Sequence, residues 1–224
     1  MKPTMKKVIL PAALAGIALY TGIINFSFAD EQTRTESVRA FNKLSVEKGL
    51  EVSVHCSDKN YLEATGKAAA LEKLTVTEQQ GTLQISNRSG DDWENIEPLT
   101  VHIYTSQPLQ RLDARFGIDA TVDGCAIASD SFAATGEMGS KLVLSGSTDT
   151  LTLALAMGAT LDHAAQPLHV NQATVELGMG ASASLCHAKS VSGRQSAGTR
   201  LSVSPDTQTK VNGSYGTSIV FDAC

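Results

Sequence analysis

Large aromatic side chains are scarce: one Trp, four Tyr and six Phe make up 5% of the 224 residues. A core built around big rings is therefore excluded, and the abundant Gly, Ala, Ser and Thr suit thin, closely stacked layers. Positive charge is also in deficit, with 18 Lys and Arg against 23 Asp and Glu, a net charge of -5. Such a surface repels phosphate backbones and anionic lipid, so nucleic acid is not an expected partner. No CxxC pair occurs, and no His stands at zinc-finger spacing from a Cys. Cys186 and His187 are adjacent, and neighbours on a strand point to opposite faces, so they are a poor chelate.

What is present begins with an export signal. Lys2, Lys6 and Lys7 form a positive start, Val8 to Ile24 an apolar run, and Ser27, Phe28 and Ala29 place small residues where a signal peptidase cuts. Residues 1–29 are expected to be removed before Asp30, with a membrane link only if that segment stays uncleaved. Removal takes away three lysines and no acid, so -5 becomes -8 for the remaining 195 residues. The expected location is the periplasm, the exterior or the cell surface. Residues 30–36 are expected as a linker and 37–224 as one domain.

That domain has two textures. Over 37–108, short strands alternate: Leu50, Val52, Val54 and Cys56 against Glu51, Ser53 and His55, then Leu99, Val101 and Ile103. An acidic loop, Ser89 to Pro98, interrupts them and carries the lone Trp93. Over 109–224 a repeat takes over, marked by Gly117, Gly139, Gly158, Gly180, Gly198 and Gly216 at spacings of 22, 19, 22, 18 and 18 residues. The residues before them are Phe116, Met138, Met157, Met179, Ala197 and Tyr215. A period near twenty with two-residue alternation inside each unit, and no competing helical period, predicts stacked coils of strand. The expected fold is all-β, a parallel β-helix-like solenoid of about six glycine-marked repeats preceded by short strands. Each glycine should mark a bend or a close backbone approach. A sandwich with regular turns is the alternative, but it does not require glycines in register.

With these residues placed, the chain resembles the family named for a putative auto-transporter adhesin head, the GIN domain. The likeness runs from Ser37 to Thr217. It rests on Val38, Phe41, Leu44 and Val46, then Gly49, Leu50, Val52 and Val54, on Gly81 to Ile85, on Pro108, Leu109 and Leu112, and on the recurring glycines. Only Gly178 with Gly180 keeps the family's double-glycine turn. The resemblance implies a right-handed parallel β-helix and an adhesin-type binding role, and it carries no catalytic residues.

Chemistry is sparse. A β-helix enzyme acting on carbohydrate needs paired carboxylates on one face. Asp119 and Asp123 are the nearest pair, with Asp130 further on, and later coils offer Ser, Thr and Ala instead; these read as solvated turn carboxylates. His55, His102 and His169 sit between apolar strand residues and so face outward, and His163 and His187 lie at strand ends; all five read as surface residues. No catalytic, cofactor or metal residue is assigned. Trp93 either contacts a partner or caps the solenoid end. The expectation is an exported, non-catalytic binding module whose partner is an envelope or surface protein or a glycan. A periplasmic structural or signal-linked scaffold is the alternative, and a carbohydrate-active β-helix enzyme a third reading.

The cysteines test the repeat geometry. If each unit is one coil, Cys125 sits on the first, Cys186 on the fourth and Cys224 on the sixth. Coils stack ~4.8 Å apart, and a disulfide needs Cα atoms within about 7 Å. No two of these three can join while all are held in the stack; only the chain end, with Cys224 last, is free to fold back. Cys56 precedes the repeats, so at most one intrachain disulfide is expected, Cys56–Cys125, with the others free or paired between chains.

Overall fold

Alternation of apolar and polar residues sets the strands. Leu50, Val52 and Val54 are each 1% exposed, while the residues between them face outward. The computed structural model describes residues 31–88 and 97–221. The signal segment, all of Ser89–Ile96 including Trp93, and Cys224 lie outside the described residues.

The N-terminal part contributes β1 (Glu31–Ser37), β2 (Lys43–Glu47), β3 (Leu50–Cys56), β4 (Tyr61–Lys67), the helix α1 (Ala68–Lys73), β5 (Leu74–Gln79), β6 (Thr82–Asn87) and β7 (Leu99–Thr105). The repeats then add pairs of strands: β8 (Arg111–Arg115) with β9 (Asp119–Val122), β10 (Ser131–Glu137) with β11 (Lys141–Leu144), and β12 (Gly146–Ala156) with β13 (Thr160–Asp162). Next come β14 (Leu168–Leu177) with β15 (Ser182–Leu185), β16 (Ala188–Gln195) with β17 (Arg200–Val203), and β18 (Gln208–Gly213) with β19 (Ser218–Phe221). The first of each pair joins a nine-stranded sheet and the second a ten-stranded sheet. The two sheets face each other across the core in a β-solenoid of about five turns, mostly parallel, with antiparallel strands at the N-terminal end.

Like side chains stack on like. On one sheet Val52, Ala120, Leu142, Leu161, Ala183 and Leu201 align strand by strand. On the other, Leu112, Ala134, Leu153 and Val175 do the same. Burial of these rows is the main source of stability, at roughly 25 cal/mol per Å² of apolar surface.

The six marked glycines all occupy the corner between the two strands of a pair, with φ between +66° and +75°. A Cβ at Gly117, Gly139 or Gly158 would meet nothing within 4 Å. Their requirement is therefore the left-handed dihedral, and close backbone approach is not its cause. Close approach occurs elsewhere, at Gly193, where a Cβ would lie 1.9 Å from the Val175 carbonyl oxygen.

The two textures of the sequence are one stack. Lys48–Gly49 makes the same left-handed corner between β2 and β3 as Phe116–Gly117 makes before β9. Pair β2–β3 lies between pair β6–β7 on one side and pair β8–β9 on the other. The chain therefore builds outward first, then crosses back over its own first pair to start the repeats. Residues 31–36, expected as linker, instead belong to β1, which pairs antiparallel with β4 from Glu31–Lys67 to Ser37–Tyr61. It carries no apolar alternation because it is an edge strand, tied by backbone bonds and by Arg34 reaching the Leu71 and Leu74 carbonyls. The helix α1 was also unannounced among the expected strands, and it lays Ala70 and Leu71 over the end of the core.

Cys56, ending β3, is joined to Cys125, in the short 3₁₀ turn Gly124–Ala126 after β9, with a Cα–Cα distance of 6.1 Å. Cys186 is disulfide-bonded as well, so the expectation of at most one intrachain disulfide, with the others free or paired between chains, is corrected. The rung argument limits only cysteines held within the stack, and among the described residues no cysteine is free.

Candidate functional site

The outer face of the ten-stranded sheet gathers aromatic and imidazole rings at its N-terminal end. Strand order there is β4, β7, β3, β9. Tyr61 on β4 lies opposite Tyr104 on β7, and Tyr104 lies beside His55 on β3. One position pair further along, Glu63 lies opposite His102, and His102 beside Ser53. All six alternate with buried residues, so the pleat turns them outward together.

The rings touch. Tyr61 and Tyr104 stack with centroids 4.3 Å apart and planes 8° from parallel. His55 lies 5.4 Å from Tyr104 and 5.7 Å from His102. His55 Nδ1 donates to Asp123 Oδ2 at 2.8 Å, which fixes the ring and its tautomer. The Cys56–Cys125 bond clips the same two segments together, one residue from His55 and two from Asp123, so the imidazole is held on a rigid support. Burial pushes the Tyr104 hydroxyl above its ordinary value, and Glu63 and Tyr61 add to the rise. It therefore stays protonated at neutral pH and can donate a hydrogen bond. The result is a half-buried, flat apolar surface with Glu63 and Asp123 at its rim.

Asp123 thus holds an imidazole. Asp119 stands four residues earlier along extended backbone, about 13 Å away at strand rise, too far for the carboxyl separations of glycoside hydrolysis. Asp130 lies exposed beyond the 3₁₀ turn. His55 is hydrogen-bonded to Asp123, and the adjacent Cys56 is in a disulfide and so is not a thiol nucleophile.

A second group forms further along the stack, beside β13 to β16. His187 lies 5.1 Å from His169 and 6.3 Å from His163, ring centre to ring centre. His163 Nδ1 is 3.4 Å from Ser184 Oγ, which donates to Cys186 Sγ at 3.2 Å. Among the described residues, no three His, Cys, Asp or Glu side chains are set to hold a metal ion. His55, His102 and His169 face outward, as read from alternation, and His163 and His187 are exposed beside strand ends, but none of the five is isolated. Solenoid stacking brings them together from strands distant in sequence. Tyr61, Glu63 and Tyr104 were not singled out in the sequence; the available signal was their outward phase on strands neighbouring His55 and His102.

The chain is similar in fold to a putative adhesin from Bacteroides fragilis, with a TM-score of 0.61 at 16% identity, covering 86% of this chain and 97% of that one. It is similar to a putative lipid binding protein from Parabacteroides distasonis, TM-score 0.53 at 13% identity, covering 87% and 98%. A putative adhesin from Parabacteroides merdae gives 0.51 at 11% identity, covering 87% and 97%. No curated protein matches the chain. The family described as "Putative auto-transporter adhesin, head GIN domain" matches residues 40–206, most of the solenoid, and the chain belongs to that family.

Proposed function

We propose that this chain is an exported, non-catalytic binding module of adhesin-head type, and that its ligand is a surface saccharide held on the ring platform of Tyr61, Tyr104, His55 and His102. The observation that supports this reading is the stacked Tyr61–Tyr104 pair with its flanking imidazoles. A pyranose has one apolar C–H face and a girdle of hydroxyls. Flat rings match the face, and Glu63, Asp123 and the Tyr104 hydroxyl match the girdle. A rigid sheet presents the rings with little entropy left to lose on binding. Family membership supports the adhesin class, and the N-terminal sequence supports export.

A glycan array probed with the disulfide-intact protein tests the proposal. Bound glycans should be retained without turnover. Tyr104→Ala, which removes the central ring, should weaken binding by about tenfold or more while leaving the fold intact. Cleavage of a bound glycan would instead make the protein an enzyme. Silence across the array would favour the scaffold reading, in which the solenoid holds another envelope protein.

A further inference from the structure

The chain has five methionines, and Met1 and Met5 fall in the leader segment. The other three, Met138, Met157 and Met179, all stand at the same corner of successive coils. Each precedes a marked glycine between the two strands of its pair. Gly139 donates its N–H to the Met157 carbonyl and Gly158 donates to the Met179 carbonyl, both at 3.0 Å. The three backbones are therefore in register, one rung apart, ~4.8 Å per step.

Folding does not explain the placement. The three residues are 42%, 52% and 62% exposed, whereas the apolar residues facing the interior are almost wholly buried. Met138 and Met157 also hold φ of 53°, a left-handed conformation that Gly, Asn or Asp would adopt with less strain. An exposed apolar residue repeated three times in line, strained at two of the three positions, points to use of the side chain itself. The adjoining Gly139 and Gly158 leave open space over the corner.

We propose that Met138, Met157 and Met179 form a three-thioether site for a soft monovalent cation, of which Cu(I) is the biological representative. Thioether sulfur is a soft neutral ligand that favours Cu(I) over hard oxygen-seeking ions. Methionine has three rotatable bonds, so side chains on adjacent rungs can turn toward one ion above the central Met157. In an oxidising compartment thiols are consumed as disulfides, as Cys56, Cys125 and Cys186 are, and thioethers remain available. A thioether carries no proton to displace, so binding should persist in acid, where histidine, with a pKa of about 6.5, is lost as a ligand. This inference stands apart from the saccharide reading, since the methionine corner and the ring platform are different surfaces.

The test is titration of the disulfide-intact protein with Ag(I), a redox-inert probe, and with Cu(I) under anaerobic conditions. Stoichiometry is read by native mass spectrometry, and the ligands by the methionine methyl resonances. One ion per chain should bind, and all three resonances should shift together. Met157→Leu keeps the apolar bulk and should weaken binding roughly tenfold, and the triple Met→Leu variant should abolish it. Affinity should be the same at acid and neutral pH. Unchanged affinity in the triple variant overturns the proposal. So does binding that disappears in acid and is removed by His163→Gln with His187→Gln, which would place the ion on the histidine cluster. Thermal melts of each variant, expected to match the parent, exclude misfolding as the cause of any loss.

Discussion

The two ends of the solenoid are finished differently. At the N-terminal end, β5 closes one sheet and β4 with β1 closes the other, all antiparallel to the strands they cover. The helix α1 adds Ala70 and Leu71, and behind these layers Leu44, Leu83 and Ile85 are fully buried. At the last described rung, β18 and β19 are edge strands. Val211 and Ile219 are only partly buried there, Phe221 is 52% exposed and Tyr215 is 92% exposed. Even the inward row turns polar as this end approaches, with Gln195 following Leu155 and Leu177 and donating to the Ser218 carbonyl. A repeat builds an interior by stacking copies of itself, but it cannot close its own ends. The closing pieces have to be sequence of another kind, and here they are antiparallel strands and a helix.

The largest test of that asymmetry is the covalent clip. Cys56–Cys125 joins the β2–β3 rung to the first repeat rung across 69 residues that include β4, α1 and β5 of the N-terminal cap. Loop-closure entropy for that length is worth about 4 kcal/mol. Cys56→Ala with Cys125→Ala should lower stability by that order in urea unfolding, and should lower the ring-platform binding with it. A double variant is preferable to reductant, because Cys186 is also disulfide-bonded. A loss below about 1 kcal/mol would mean that strand pairing alone holds the cap in place.

A pair of truncations compares the ends directly. Leu83→Ala opens a cavity in the covered end and should cost about 2–5 kcal/mol. Val211→Ala removes a side chain that is already part-exposed, and should cost under about 1 kcal/mol. Equal shifts in the urea midpoint would show that the last rung is covered in solution.

The same contrast explains what the sequence made legible. The six corner glycines and the alternating Leu, Val and Ala rows are periodic and local, so the coil register could be read from spacing alone. The cap could not. β1 reads as polar linker because its bonds run along β4, and α1 is six residues of Ala, Leu, Glu and Lys with no helical period long enough to detect. The insertion of β3 between β7 and β9 was hidden for a related reason, since parallel pairing leaves no mark on the strand that receives it. The ring platform inherits that difficulty. His55 was legible as outward, but its meeting with His102 and Tyr104 depends on the β3–β7 register, which links residues 49 apart in Leu50↔Leu99.

The smallest effect concerns how the cap strand is pinned by charge. Glu78 on β5 accepts a hydrogen bond from the backbone N–H of Arg39 at 2.8 Å and another from the Arg39 guanidinium. These bonds hold the Glu78 carboxyl below its ordinary value, with the guanidinium bond the largest cause and the backbone bond next. A carboxyl depressed in the folded state is ionised there more readily than in the unfolded chain. Its contribution is therefore complete above the unfolded value near 4.5 and declines as pH falls through the folded one. Arg39 is largely exposed, its side chain 79% accessible, so water and salt screen the pair and the contribution should be under about 1 kcal/mol. Glu78→Gln should lower the urea midpoint slightly at pH 7, and the gap from the parent should close as the pH is taken well below that value. Added salt should narrow it at pH 7. If the gap persisted in acid, the role of Glu78 would be packing of β5 against the chain before β2, and the covered end would owe nothing to this charge.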